Sequence, residues 1–405
     1  MKKNQFASVS TIPGSEKWEN AIRRECVLYT RPNEIRTEFE RDYTRILHCT
    51  AYRRLKHKTQ VFFATTNDHI CTRIEHVNHV NSVSKTISNH LGLNSQLVDA
   101  ISIGHDLGHA PFGHKGEETL KKILTNKFPE LSFWHEKNSL RFVDEIEVLE
   151  GPHGKHSNLD LTYAVRDGII CHCGEVDEIS LRPRETTIDL NTITKGNELQ
   201  SFTWEGCVVK ISDKIAYLGR DIEDALLLKL LEPEQIQLVD DILHKHGIDD
   251  SVRVNNTVLI HGFIIDLCEN SSPADGIRLS DSKRQMMDEI KSFCYKYIYK
   301  HPKIERYKLF VEHIITNLFD ILCEISNSYK QDSPSCKKLY SGLYKDFNEY
   351  LGCYSKQHAK DDKYSKVKKI YDLESDQDRA MACIDFISGM TDQYAIKKFK
   401  ESITF

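Results

Sequence analysis

The sequence predicts an all-α protein, and three observations support this. Apolar residues recur with the helical period along most of the 405-residue chain, and no convincing series of alternating strands appears. The composition is globular, with 40% hydrophobic and 28% charged residues, which is enough apolar material for a sizeable core. No internal repeat of a solenoid is evident. We expect a site-bearing part over residues 1–235 and further helices over residues 236–405, packed with it as one unit.

The helical elements follow one another with clear start and stop signals. From Ile35 to Leu55, Ile35, Phe39, Ile46 and Leu55 share one apolar face, and residues 59–63 read as a short extended piece. Residues 72–94 form the next predicted helix, and Asn94 or Ser95 begins another. Further helices are expected over 115–128, 134–150, 204–231, 258–270, 278–301 and 307–325, with a Gly/Pro/His loop at 151–158 and an irregular segment at 171–201.

Charge and cysteine usage limit the class of protein. The formal net charge is -5, so the bulk charge does not indicate a protein that coats nucleic acid. Twelve cysteines are scattered without any C-x-x-C pair, which favours reduced thiols in a cytosol. No run approaches the roughly 18 apolar residues of a membrane span, and the N-terminus has no apolar signal region. We expect a soluble, cytoplasmic protein.

The stretch "GHDLGHAPFGHKGE" (104–117) concentrates groups that bind metals. His105 and Asp106 are adjacent, but with 19 histidines in the chain a lone His-Asp pair is weak evidence. His76 lies on an otherwise apolar helix face, where a satisfied core histidine is the alternative interpretation. Asp213 lies in an apolar run, and burying it is costly unless it is paired or bound to a metal. Together these four residues would neutralise a divalent cation and leave two octahedral positions for water and substrate.

Further polar side chains accompany this set. His114 precedes Glu117 by about one helical turn, so the carboxylate can orient the imidazole and keep it protonated as a general acid. His109 lies in the same stretch, and His135 in "FWHEKNSLR" offers another donor to an anionic substrate. Taken singly, His109 and His135 are equally well explained as polar helix caps.

These motifs, in the order H…HD…D, resemble the HD-domain superfamily of metal phosphohydrolases. More narrowly, the chain resembles the deoxynucleoside triphosphate triphosphohydrolases, the dGTPase-like proteins. The narrower resemblance is carried by "RDYTRILHCTAYRRLKHKTQVF", "TRIEHVNHV", "KISDKIAYLGRDIEDAL" and "IDFISGMTDQYA", which lie between about residues 36 and 395. It implies an all-α HD-domain core with additional C-terminal helices. It also implies that a dNTP, with dGTP the first guess, is split into deoxynucleoside and inorganic triphosphate.

The resemblance implies a role for each matched position. The metal would be held by His76, His105, Asp106 and Asp213, and water activated there would attack the α-phosphorus. His114, backed by Glu117, would protonate the departing 5′-oxygen. The other positions would contact the substrate: His109, His135, Arg73 and Lys214 at the phosphates, Gln60 and Asp221 at the 3′-hydroxyl, and Tyr217 beneath the deoxyribose, where its ring excludes a 2′-hydroxyl.

Two stretches need separate interpretation. Many bacterial relatives read "FEHNxQSLR" where this chain has "FWHEKNSLR", so Trp134, Glu136 and Asn138 differ, which bears on base preference and on any effector site. "CHCGE" (171–175) holds a histidine between two cysteines. We interpret it as the end of a helix and not as a second metal site, because no matching pair of ligands is evident.

The sequence leaves several properties open. A His₂Asp₂ set accepts manganese, magnesium, iron, cobalt, nickel or zinc, and the resemblance implies a homo-oligomer, either tetramer or hexamer. Basic segments such as "AYRRLKHK" are compatible with weak binding of single-stranded nucleic acid, although solvated helix faces are the commoner explanation. The alternative functions are an HD phosphohydrolase acting on another nucleotide, or a catalytically silent assembly that binds nucleotides or nucleic acid.

Overall fold

A computed structural model describes residues 3–26, 28–29, 33–63, 67–173, 178–248, 255–328, 334–357 and 362–404. Over these residues the prediction of an all-α protein is confirmed: 17 α-helices accompany one antiparallel sheet of two short strands. Within the same ranges, none of the helices combines the length and the apolar character needed to cross a membrane.

The helices fall into two halves along the chain. The first half contains α1 (Trp18–Ala21), α2 (Glu38–His48), α3 (Thr50–Arg54), α4 (Arg73–Leu91), α5 (Ser95–Gly104), α6 (Gly113–Lys127), α7 (His135–Arg141), α8 (Tyr163–Ile170) and α9 (Trp204–Leu227). The second half contains α10 (Pro233–Lys245), α11 (Asn256–Asn270), α12 (Asp281–Phe293), α13 (Pro302–Asn327), α14 (Pro334–Leu339), α15 (Ser341–Tyr354), α16 (Asp376–Ser388) and α17 (Asp392–Ile403).

The first predicted helix differs from the structure at both ends. Thr37 caps α2 in a reciprocal capping box with Glu40, so Ile35 precedes the helix and is 93% exposed, and its predicted place on the apolar face is wrong. Cys49 adopts an extended backbone (φ -70°, ψ 159°) and separates α2 from α3. The predicted extended piece is confirmed at Thr59, which forms an isolated antiparallel bridge with Thr72.

The predicted helix over 134–150 is wrong at its C-terminal end. The α-helix ends at Arg141, a π-helical turn continues over Phe142–Ile146, and the chain then enters strand β1 (Val148–Glu150). Strand β2 (His156–Asn158) pairs with β1, so only residues 151–155 of the predicted loop remain a loop. The Asn158 side-chain amide donates to the Glu145 carbonyl oxygen (2.7 Å), which fixes the second strand beneath the π-helical turn.

Two apolar clusters form the core, and α9 contributes to both. The first cluster joins α2, α5, α6 and α8 to α13, α15, α16 and α17, with Ile101 and Ile315 among its fully buried members. The second joins α4 and α9 to α10, α11 and α12, with Leu218 and Phe263 fully buried. Helices α4, α5 and α9 pack against one another between the two clusters, so their facing side chains are held on rigid elements. The domain boundary at residue 235 stays a prediction.

Candidate active site

Three packed helices bring predicted ligands from distant parts of the chain together. His76 on α4 places its Nε2 atom 2.9 Å from Oδ1 of Asp213 on α9. His105 follows the last residue of α5, and its Nε2 atom lies 4.0 Å from the same oxygen and 3.8 Å from Oδ2 of Asp106. One ligand atom from each of His76, His105 and Asp213 lies within 4.8 Å of the others. These three residues form one candidate metal centre.

The orientation of His105 supports this interpretation. Its Nδ1–H group donates to the Ser102 carbonyl oxygen (2.6 Å), so Nε2 is the acceptor nitrogen and faces the carboxylates. Burial lowers the pKa of His105 to about 4, which keeps the imidazole neutral. Nε2 is buried and has no hydrogen-bond partner among the described residues. A buried acceptor aimed at two carboxylates fits a divalent cation, which would satisfy all three groups at once.

Asp106 has a different partner from the other predicted ligands. It forms a buried ion pair with the Arg73 guanidinium at the start of α4. Burial alone would raise the pKa of Asp106, but Arg73 holds it well below its usual range. The ligand atoms of Asp106 group with those of His105 and His172, and not with His76 and Asp213. The four predicted ligands are therefore neighbours but do not form a single closed shell in this structure.

A row of three imidazoles extends from the candidate metal centre. The rings of His109 and His135 stack with centroids 4.6 Å apart, and the His114 ring lies 5.4 Å from His109. Burial lowers the pKa of His109 well below its usual range, so this ring is neutral. Burial has the same tendency at His135, but the Glu136 and Glu117 carboxylates outweigh it and raise its pKa to about 10. The row thus combines a neutral imidazole with an imidazolium.

Glu117 contacts two of these imidazoles unequally. Its Oε2 atom lies 3.9 Å from Nδ1 of His114, the partner predicted from the sequence. It is closer to His135, which donates from Nδ1 at 3.0 Å and from its backbone N–H to Oε1 at 2.9 Å. The His114 side chain is 74% exposed. Glu117 therefore fixes His135 firmly and leaves His114 open to a ligand.

The turn between α5 and α6 is held from two sides. A Cβ at Gly108 would lie 2.2 Å from the Asn138 carbonyl carbon, so this close approach of the turn to α7 requires glycine. The Gly108 N–H donates to the Ser139 hydroxyl oxygen (3.0 Å). On the other side, Phe112 adopts a left-handed backbone (φ 65°), and its N–H donates to Oδ1 of Asp392 on α17 (2.8 Å). The turn depends on α7 and on the C-terminal helix.

The predicted sugar contacts lie further along α9. Asp221 is buried and accepts a hydrogen bond from the Tyr299 hydroxyl (2.5 Å) in the π-helical turn over 294–299 that follows α12. Burial raises the pKa of Asp221 to about 7, although Tyr299, His76 and His114 oppose the shift. Tyr217 is half-buried one helical turn before Asp221. Sequence reasoning missed Tyr299, because its pattern is that of any aromatic residue near a helix end.

The two remaining predicted contacts lie near the metal centre. Lys214 is buried on α9 next to Asp213. The Gln60 carbonyl oxygen accepts from the Arg73 guanidinium (3.5 Å), and its side-chain Oε1 is buried without a hydrogen-bond partner among the described residues. Gln60 and Arg73 are therefore brought together, and the amide oxygen of Gln60 is left for a ligand.

His172 lies at the site, although from the sequence alone we interpret its segment only as a helix end and not as a metal site. It follows the end of α8, its ring centroid lies 4.8 Å from that of His105, and its distance to the His135 ring is 5.5 Å. The interpretation of 171–175 as a helix end agrees with Cys171 as the C-cap, whereas Gly174 and Glu175 lie outside the described residues. The signal available in the sequence was a histidine directly after a buried helix, as at His105.

The fold and this group of histidines and aspartates define an HD-domain phosphohydrolase. The HD domain family model matches residues 73–218, and a phosphohydrolase-associated domain matches residues 277–334. The chain is 34% identical to a deoxyguanosinetriphosphate triphosphohydrolase-like protein of Caldanaerobacter subterraneus over 91% of its own length and 85% of the relative's. A Clostridium tetani protein of the same description is 31% identical, over 96% and 92%. The chain belongs to the deoxyguanosinetriphosphate triphosphohydrolase-like family.

Proposed function

We propose that the protein hydrolyses a deoxynucleoside triphosphate to deoxynucleoside and inorganic triphosphate in a metal-dependent reaction. The observation that carries the proposal is the His76, His105 and Asp213 group beside a row of imidazoles that includes the cationic His135. The printed names of the relatives suggest dGTP as the first substrate to test. A divalent cation held by this group together with Asp106 supplies a Lewis acid and lowers the pKa of a bound water.

Arg73 has two successive partners in this proposal. In the structure it pairs with Asp106 in a buried ion pair. If Asp106 helped to hold a cation, the buried Arg73 guanidinium would be left without its carboxylate. A phosphate oxygen is the partner that suits it, because arginine binds phosphates with paired, charge-assisted hydrogen bonds. Metal binding and triphosphate binding therefore reinforce each other.

The three imidazoles have different roles: phosphate binding for His135 and His109, and proton donation for His114. His135, whose Nδ1–H is held by Glu117 at 3.0 Å, donates a hydrogen bond from Nε2–H to the phosphates, with His109 and Lys214 as further contacts. His114 protonates the departing 5′-oxygen, since it is exposed and its Nδ1 atom lies 3.9 Å from Glu117, within reach of a small rotation. Because the His114 side chain is exposed, a proton that it gives up can be restored from solvent.

The sugar contacts give the preference for deoxyribose. Asp221, fixed by the Tyr299 hydroxyl, accepts from the 3′-hydroxyl, and the Gln60 side-chain amide contacts the oxygen of the same hydroxyl. Tyr217 packs beneath the ring and excludes a 2′-hydroxyl by its bulk. Base preference depends on contacts beyond these residues.

The test is separation of the products after incubation with each dNTP and manganese. Deoxynucleoside and inorganic triphosphate in equal amounts support the proposal. Release of orthophosphate or pyrophosphate would instead indicate another HD phosphohydrolase. Salt-sensitive binding of single-stranded DNA without turnover, for all dNTPs and for each of the six candidate metals, would indicate a silent binding assembly.

The homo-oligomer implied by the resemblance, a tetramer or hexamer, stays a prediction that light scattering of the purified chain can test. The cytoplasmic location also stays a prediction.

A further inference from the structure

His172 belongs to two groups of possible ligands at once. Its nitrogen lies within 4.8 Å of ligand atoms of His105 and Asp106 on one side. On the other side it lies within 4.8 Å of ligand atoms of His135 and Glu136. The ring therefore stands between the candidate metal centre and a buried carboxylate to which the proposed function gives no role.

The tautomer of His172 is fixed in the same way as that of His105. Its Nδ1–H group donates to the carbonyl oxygen of Ile169, three residues earlier, at 2.6 Å. The corresponding bond of His105 to Ser102 has the same length, 2.6 Å. Both rings follow the end of a buried helix, and in both the Nε2 atom is left as the acceptor. This bond pattern is what orients an imidazole for metal ligation.

Among the described residues, Glu136 shares its cationic partner with a second carboxylate. It is 3% exposed, and within the described ranges the cation it contacts is His135, with Nδ1 at 3.5 Å from Oε2. His135 is closer to Glu117, at 3.0 Å, so one imidazolium serves two carboxylates. A buried carboxylate that shares its cation with another carboxylate is stabilised by a further cation. It would also repel a triphosphate bound next to it.

We propose that Glu136 and His172 bind a second divalent cation beside the one at His76, His105 and Asp213. The cation balances the Glu136 carboxylate, takes the Nε2 lone pair of His172, and completes its coordination with water and phosphate oxygens. With two cations, the negative charge of the triphosphate is neutralised from both sides. The inference rests on the proposed function only for the presence of the first cation.

The experiment counts manganese bound by the full-length protein. The protein is loaded with Mn²⁺, freed of excess metal by gel filtration, and analysed by elemental mass spectrometry and electron paramagnetic resonance. We expect two ions per chain and the signal of a magnetically coupled pair for the natural sequence. Glu136→Gln and His172→Gln, which keep the side-chain volume or nearly so, reduce the count to one and abolish the coupling. His48→Ala, which removes an exposed histidine far along α2, keeps both.

The outcomes separate this proposal from the first. One ion per chain in the natural protein, unchanged in Glu136→Gln, would overturn the second cation. Loss of an ion in Glu136→Gln but not in Asp213→Asn would support the second cation and contradict the first centre. Circular dichroism of each variant checks that a lost ion reflects a lost ligand and not an unfolded chain. If His172→Gln unfolds, the ion count of Glu136→Gln alone tests the second cation, because this substitution removes the charge and nearly preserves the shape of the side chain.

Discussion

His114 and Asp106 lie eight positions apart in the sequence. We expect their removal to have different effects on metal content and turnover. His114 touches no predicted metal ligand and is exposed, so His114→Ala should keep the full metal content. Loss of a general acid lowers kcat by about 10²- to 10⁴-fold. Product chromatography and metal analysis of the same preparation measure both quantities. His48→Ala is the matched control, and normal turnover in His114→Ala would contradict the acid assignment.

Asp106→Ala is the complementary change. It removes one predicted ligand and leaves Arg73 as an unpaired buried cation, which itself weakens the binding of a metal ion. We expect loss of the metal and of turnover together, measured on the same preparations. Retention of a full metal complement would remove Asp106 from the ligand set.

Asp221 gives a prediction for the pH dependence of stability. Burial raises its pKa to about 7 from 3.8; Tyr299, His76 and His114 oppose the shift and Asp224 adds to it. Because the folded state holds the proton more tightly than the unfolded state, the protonated group stabilises the fold at low pH. That contribution is lost as the pH rises from about 4 to 7, at up to about 1.4 kcal/mol per pH unit.

The measurement is urea unfolding of the natural protein and of Asp221→Asn across this pH range. The variant keeps the shape of the side chain and cannot ionise, so its stability relative to the natural protein should rise with pH up to about 7. Parallel pH profiles of the two proteins would show that Asp221 does not titrate in this range.

At the scale of elements, α17 holds the turn between α5 and α6, which contains His109. Oδ2 of Asp392 accepts from the backbone N–H of Thr59 (2.8 Å) and from its hydroxyl (2.5 Å), and Oδ1 accepts from the Phe112 N–H (2.8 Å). Lys58 also connects the turn to the C-terminal helices, because its Nζ atom donates to the carbonyl oxygens of His109 (2.5 Å) and of Ser388 (2.8 Å) at the end of α16. The C-terminal helices thereby position residues on both sides of the site.

Asp392→Asn tests this arrangement. The amide group turns one acceptor into a donor that faces N–H groups, which costs about 1–3 kcal/mol of the free energy of unfolding. We expect kcat to fall while much of the metal content is kept, because His76 and Asp213 lie on α4 and α9, outside the turn between α5 and α6 that Asp392 holds. Asp281→Asn, at a 74% exposed carboxylate, is the control. Unchanged stability and kcat in Asp392→Asn would show that α17 is not needed to hold the turn.

The elements also mark the limits of prediction from sequence. Asp213 and His76 were identifiable because a polar side chain on an apolar helix face is conspicuous at the helical period. The strand at Val148–Glu150 was not, because "EVLE" also continues the helical period of the preceding residues. His172, Tyr299 and Asp392 gain their positions from tertiary contacts, such as the pairing of Asp392 with a residue 333 positions away. No local pattern records such a partner.

For the whole molecule, binding of a metal ion should raise stability. The candidate centre gathers the buried carboxylate of Asp106, the partly exposed carboxylate of Asp213 and an unsatisfied nitrogen of His105, and a cation that binds only the folded chain stabilises it. At free Mn²⁺ a hundred times the dissociation constant, the gain is about 2.7 kcal/mol. Thermal unfolding with Mn²⁺ and with a chelator measures it, and Asp213→Asn should lose the difference. A Tm indifferent to metal would count against the centre.

The ties from α17 also bear on how the protein is made. Synthesis proceeds from the N-terminus, and about 180 residues separate Asp213 from Asp392. A nascent chain that has been synthesised as far as α9 already contains every predicted metal ligand. At that stage Phe112 and Thr59 still lack the Asp392 carboxylate that fixes them. Products truncated before α17 would lack the Asp392 carboxylate, so we expect them to be without a fixed turn between α5 and α6.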